Sequence, residues 1–62
     1  MLYFAETRKS SKSHHFQAET DREAVQNAFV LFEDEDITLI YEVTVTADIR
    51  VIWRRSHHEN DL

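Results

Sequence analysis

The stretch Ala18-Glu19-Thr20-Asp21-Arg22-Glu23-Ala24 constrains this chain most, because it marks where a helix begins and leaves strand-like sequence on either side. Thr20 followed three residues later by Glu23 is a capping box: the threonine hydroxyl accepts the N–H of Glu23, and the glutamate reaches back to the N–H of Thr20. From Thr20 to Phe32 the apolar residues Ala24, Val25, Ala28, Phe29, Leu31 and Phe32 recur at helical spacing, while Asp21, Arg22, Glu23, Gln26 and Asn27 occupy much of the remaining surface. The small Ala24 and Ala28 let the helix axis approach a sheet closely. Leu31 and the phenylalanines are expected to fill the ends of that contact.

Strands flank the helix. Leu2 to Thr7 is short and rich in aromatics, with Leu2, Phe4 and Glu6 on one side and Tyr3, Ala5 and Thr7 on the other. Arg8-Lys9-Ser10-Ser11-Lys12-Ser13 is polar, basic and aperiodic, as a hairpin loop would be. A second strand follows from His14 to Ala18, with His14, Phe16 and Ala18 on one face and His15 and Gln17 on the other. After the helix, Ile37, Leu39, Tyr41, Val43 and Val45 alternate with Thr38, Glu42 and Thr44, the period of a half-buried strand. Thr46-Ala47-Asp48 turns the chain into a last strand, in which Ile49, Val51 and Trp53 alternate with Arg50, Ile52 and Arg54. The expected fold is therefore α+β, in the order ββαββ: an antiparallel sheet with one helix packed on one face. Residues 1–56 form the domain and 57–62, beginning His57-His58, a polar tail. The alternation puts Ile40, Ile52 and Tyr3 on the face away from the helix, as a modest apolar patch in a polar surface.

At 62 residues such a domain buries only about 60% of its unfolded surface, which leaves little core from which to build a pocket. Cysteine is absent, so neither disulfides nor zinc-thiolate sites staple it. Glycine and proline are absent too, where average usage would supply roughly seven. Turns with positive φ must then fall to Asn, Asp or longer loops, and glycine-dependent phosphate cradles are excluded. No apolar run reaches the roughly 20 residues that cross a bilayer, and no basic-then-apolar leader opens the chain, so the expected location is the cytoplasm, that of a host cell. The net charge of −5 divides into +2 over residues 1–18, −7 over 19–42 and zero over 43–62. An acidic middle argues against direct nucleic-acid binding, which relies on a basic face, and suits a basic partner surface.

Two charged features stand out as candidate partner-binding sites. Glu33-Asp34-Glu35-Asp36 lies where the helix should end, and negative charge there opposes the helix dipole by about 0.3–1 kcal/mol per nearby residue. It is either a solvated loop or a contact for a basic partner. Arg50, Arg54 and Arg55 around Trp53 concentrate two residue types enriched in interface hot spots. They are either the solvated neighbours of a core tryptophan or a recognition strand. His14-His15 and His57-His58 have poor spacing for a metal, because adjacent strand residues point to opposite faces. No nucleophile, ordered base and buried acid form a recognisable set, so the expectation is a non-enzyme with no cofactor and no metal.

A strand, a basic-polar loop, a strand, then Ala18, Glu19, Thr20, Glu23 and Ala24 opening a helix and an apolar strand after it: this pattern resembles phage T7-type inhibitors of bacterial RNA polymerase, small bacteriophage host-takeover proteins. The resemblance implies a binder of a large host complex, RNA polymerase or a nuclease, that acts through last-strand arginines, here Arg50, Arg54 and Arg55. The chain departs from that family in lacking its glycine and prolines and in adding a fourth strand. Thr20, Glu23 and Ala24 after a two-stranded hairpin also resemble the HicB-type antitoxin domain, without its glycine and proline. Two further readings are a homo-oligomeric structural or regulatory domain, with a homodimer through a sheet edge or through the Ile40 and Ile52 patch, and an acidic nucleic-acid mimic built on Glu33 to Asp36 with Asp21, Glu23 and Glu42.

Overall fold

The capping box forms, with one change of partner. The Thr20 hydroxyl accepts the Glu23 N–H at 3.1 Å, but the Glu23 carboxylate accepts the N–H of Glu19 rather than that of Thr20, at 2.9 Å. The computed structural model, which describes residues 1–55, places β1 at Leu2–Thr7, β2 at His14–Gln17, α1 at Asp21–Leu31, β3 at Ile37–Val43 and β4 at Ile49–Arg54. The strands make one antiparallel sheet in the order β2-β1-β3-β4, and α1 lies across one face. This is the ββαββ, α+β arrangement. The tail from Ser56, with His57 and His58, lies outside the described residues.

Ala24 and Ala28 are fully buried where the helix meets the sheet, as their size allows. Around them pack Tyr3, Ala5, Phe16, Ala18, Ile37 and Ile40, with Val25, Phe32, Ile52 and Trp53 partly buried against this cluster. The helix ends on Phe32, whose N–H donates to the Ala28 carbonyl at 2.9 Å. Leu31, expected to fill a gap, is instead 59% exposed beside Val30 at 74%. The acidic run is not a plain loop either: Glu33–Glu35 forms a single 3-10 turn, closed by Asp36 with φ at 59°.

The expected outer patch does not exist: Tyr3 and Ile40 are fully buried beneath the helix, and Ile52 packs against the core. Two bulges account for the difference. Thr7 pairs with Ile37 and Glu6 with Leu39, so Thr38 is an extra residue that shifts the alternation by one place. Ile37 and Ile40, three apart, consequently both face the helix, while Leu39, Tyr41 and Val43 turn outward. On the other side Ile40 pairs with Trp53 and Tyr41 with Val51, which makes Ile52 the extra residue and sends Ile52 and Trp53 both toward the core.

Without glycine, the two positive-φ positions among the described residues fall to Asp36 and Ala47. Asp36 was foreseeable, since Asp tolerates the left-handed region. Ala47, at φ 68°, was not. It is held by a turn in which Thr44 N–H donates to the Asp48 carbonyl, Asp48 N–H to the Thr44 hydroxyl and the Thr46 hydroxyl to the Asp48 carboxylate.

Candidate functional site

Arg50 does not point to solvent alone. Glu42 is opposite it across the β3–β4 pairing, on the helix side of the sheet, and is only 8% exposed. Arg50 Nε and Nη2 donate to Glu42 Oε1 at 3.0 and 2.6 Å, and its two terminal nitrogens fork onto both oxygens of Asp21 at 2.9 and 2.8 Å. The Tyr3 hydroxyl completes the set, donating to Asp21 Oδ1 at 2.9 Å. Asp21 is the first helical residue, so this network ties the start of α1 to β1, β3 and β4. A buried carboxylate such as Glu42 is tolerable only with such a partner. The two carboxylates, Asp21 foremost, keep the Arg50 guanidinium firmly charged.

The hydrogen bonds from Arg50, then the one from Tyr3, hold Asp21 below its ordinary value of 3.8. A carboxylate depressed in the folded state contributes stability that is fully present above 3.8 and is lost as pH falls through the folded value. Thermal melts should lose a component on acidification below about pH 4 that Asp21→Asn lacks, the variant being already the less stable at neutral pH. Equal acid sensitivity in the two proteins would contradict the network.

The other arginines separate. Arg55 Nη2 bonds Asp36 Oδ1 at 3.0 Å, its Nε donates to the Ile37 carbonyl, and its guanidinium lies 5.6 Å from the Trp53 ring centre. Arg8 bonds the other oxygen of Asp36 at 3.1 Å. Glu35 accepts the Thr7 hydroxyl and lies 3.2 Å from His14 Nε2, which does not reach hydrogen-bonding geometry with it. Half of the acidic run is thus occupied within the fold, and among the described residues Glu33 and Asp34 have no ion-pair partner. Trp53 is half-buried, edge-on to Phe29 at 5.1 Å between ring centres. Arg54 differs from its neighbours: it is exposed, on the sheet face away from the helix, and has no ion-pair partner among the described residues.

That outward face gathers apolar side chains from three strands. Row by row, the register sets Phe4 beside Tyr41 and Tyr41 beside Val51, Glu6 beside Leu39 and Leu39 beside Arg54, with Val43 beside Ile49. Leu2 shares the face of Phe4 by alternation. Phe4 stacks on Tyr41 at 5.4 Å and meets His15 of β2 at 6.2 Å. Leu2, Val51 and Ile49 are 37%, 43% and 66% exposed, and among the described residues no helix or strand lies over them. Glu6 and Arg54 are the charged residues that the strands place there, and Ser13 shares hydrogen bonds with Glu6 and the Tyr41 hydroxyl. Strict alternation assigns Leu39, Tyr41, Val43, Ile49 and Val51 to the core, so this face is not legible in the sequence.

A recess lined by Met1, Gln17, Ala18, Glu19 and Glu23 is wide open to solvent. Among the described residues no three metal-ligating side chains gather, and no helix is long and apolar enough to cross a membrane. The sequence matches no family model, no curated protein and no solved structure.

Proposed function

We propose that this protein is a non-enzymatic accessory factor that binds a larger protein complex of a host cell and inhibits or redirects it, docking through the open face of its sheet. The observation that supports this is the uncovered apolar surface of Phe4, Leu39, Tyr41, Val43 and Val51, bordered by the exposed Arg54. Such a face on a small domain marks an interaction site, and Tyr41 and Arg54 on it are of residue types enriched in binding hot spots. The resemblance of the Ala18–Ala24 stretch to phage inhibitors of RNA polymerase supplies the class of target. Of the arginines that the resemblance singles out, Arg50 and Arg55 are engaged inside the fold and Arg54 is the one presented.

The reading is tested by affinity capture from bacterial lysate with the wild-type chain and with Val51→Lys, which places a charge in the Phe4–Tyr41–Val51 row of the face at an already exposed position. The expected result is one large complex retained by the wild type and lost with the variant, at unchanged circular dichroism. Equal retention by both would overturn it.

A further inference from the structure

The open face is its own complement. Read across β1, β3 and β4, one row holds Glu6, Leu39 and Arg54, and the next holds Phe4, Tyr41 and Val51. In the third, Val43 pairs with Ile49, and Leu2 follows on β1 by alternation. β3 is the middle strand of the three. A twofold axis laid along β3, between two stacked copies, keeps each row level and exchanges β1 with β4. Glu6 of one copy then faces Arg54 of the other, twice; Phe4 faces Val51, Leu2 faces Ile49, and Leu39 and Tyr41 each face themselves. No apolar residue meets a charge and no charge meets its like. Two copies that each carry −5 would repel through most other surfaces, whereas this face holds one acid and one base and is neutral. The short β2, which contributes the polar His15 and Gln17, is left at the rim.

We infer that two copies of this chain pair face to face through β1, β3 and β4, as a two-layer sandwich joined by reciprocal Glu6–Arg54 ion pairs. Stacked sheets pack about 10 Å apart with strands roughly aligned, a gap that these side chains bridge. Three strands of about six residues present roughly 300 Å² of projected area per copy, well below the approximately 800 Å² per partner of a standard interface. The pair is therefore weak and reversible, and a target with a larger complementary surface displaces it. This inference rests on the open face being a protein-docking surface and names its first occupant.

Sedimentation equilibrium of the full chain from micromolar to near-millimolar concentration tests it, using the wild type, Arg54→Glu and the double exchange Glu6→Arg with Arg54→Glu. The wild type should dimerise reversibly. Arg54→Glu, which sets like charges opposite each other twice, should raise the dissociation constant by about tenfold or more, and the double exchange should restore it to within about threefold. The single change Glu6→Arg should weaken pairing as Arg54→Glu does, which separates a charge effect from a folding defect at either position. A wild type that stays monomeric throughout, or a dimer indifferent to both single changes, or a double exchange that fails to rescue, would each overturn the inference. Loss of lysate capture with Val51→Lys in a chain that stays monomeric would overturn the dimer alone and leave the docking reading standing.

Discussion

Truncating Ile40 to alanine is expected to destabilise the domain by about 2–5 kcal/mol, whereas the same truncation at its neighbour Leu39 should cost about 1 kcal/mol or less. Ile40 is fully enclosed between the sheet and the helix, so the space it vacates cannot be filled by solvent and its neighbours lose their contacts outright. Leu39 stands half-buried on the open face, where removing it merely trims a surface already in contact with water. For a domain this small each kcal/mol moves the melting temperature by about 4–8 °C. Thermal circular dichroism should therefore show Ile40→Ala melting at least about 8 °C below the wild type and Leu39→Ala only slightly below it. The reverse order would mean that β3 presents its other face to the helix and that the bulge at Thr38 is absent.

Tyr3 carries the second large effect. Its ring is fully buried, stacked on Phe16 at 5.9 Å, and its hydroxyl reaches out to Asp21. Tyr3→Ala should cost about 3–5 kcal/mol, enough to unfold much of the population of a marginal domain. Tyr3→Phe, which keeps the ring, should cost about 1 kcal/mol. The conservative variant has a further signature. Burial, and then the hydrogen bond to Asp21, push the Tyr3 phenol up from 10.0 to about 12. A group raised in the folded state contributes stability that is fully present below its unfolded value of 10.0 and is lost as pH climbs through the folded value near 12. The wild type should accordingly lose a component of its stability on that alkaline limb, and Tyr3→Phe should lack that component in pH-dependent denaturant titrations.

The helix was legible because its signal is local: Thr20, Glu23 and the spacing of Ala24 and Ala28 need no knowledge of what they pack against. The loop of residues 8–13 was placed for the same reason, but the last turn starts earlier than the alternation suggests: β3 ends at Val43, and Thr44 N–H already donates to the Asp48 carbonyl, which leaves Val45 exposed in the turn. The phase of β3 and β4 was not legible, because it depends on bulges that arise only when particular strands pair. A run of five alternating apolar residues from Ile37 to Val45 looks like a core face, and a single extra residue at Thr38 turns most of it outward. One clue was present: Glu42 and Arg50 are equidistant from the Thr46 turn, so they meet across the hairpin, and a carboxylate with a committed arginine can sit beneath a helix. The arginine cluster separated for a related reason. Arg50, Arg54 and Arg55 are close in sequence but face the helix, the open side and the Asp36 corner. Only the folded register distinguishes the arginine that is presented from the two that hold the domain together.

Pairing of two copies through the sheet face bearing Phe4, Leu39, Tyr41, Val43 and Val51 is the account's central claim. A dilution series followed by amide-resolved nuclear magnetic resonance tests it directly, from near-millimolar to low micromolar protein. Chemical-shift changes should gather on Leu2, Phe4, Glu6, Leu39, Tyr41, Val43, Val51 and Arg54 and leave α1 unmoved. Changes centred on the exposed Val30 and Leu31 of the helix instead, or spectra that do not change with concentration, would contradict self-association through this face; in the first case the working surface would have to be sought on the helix.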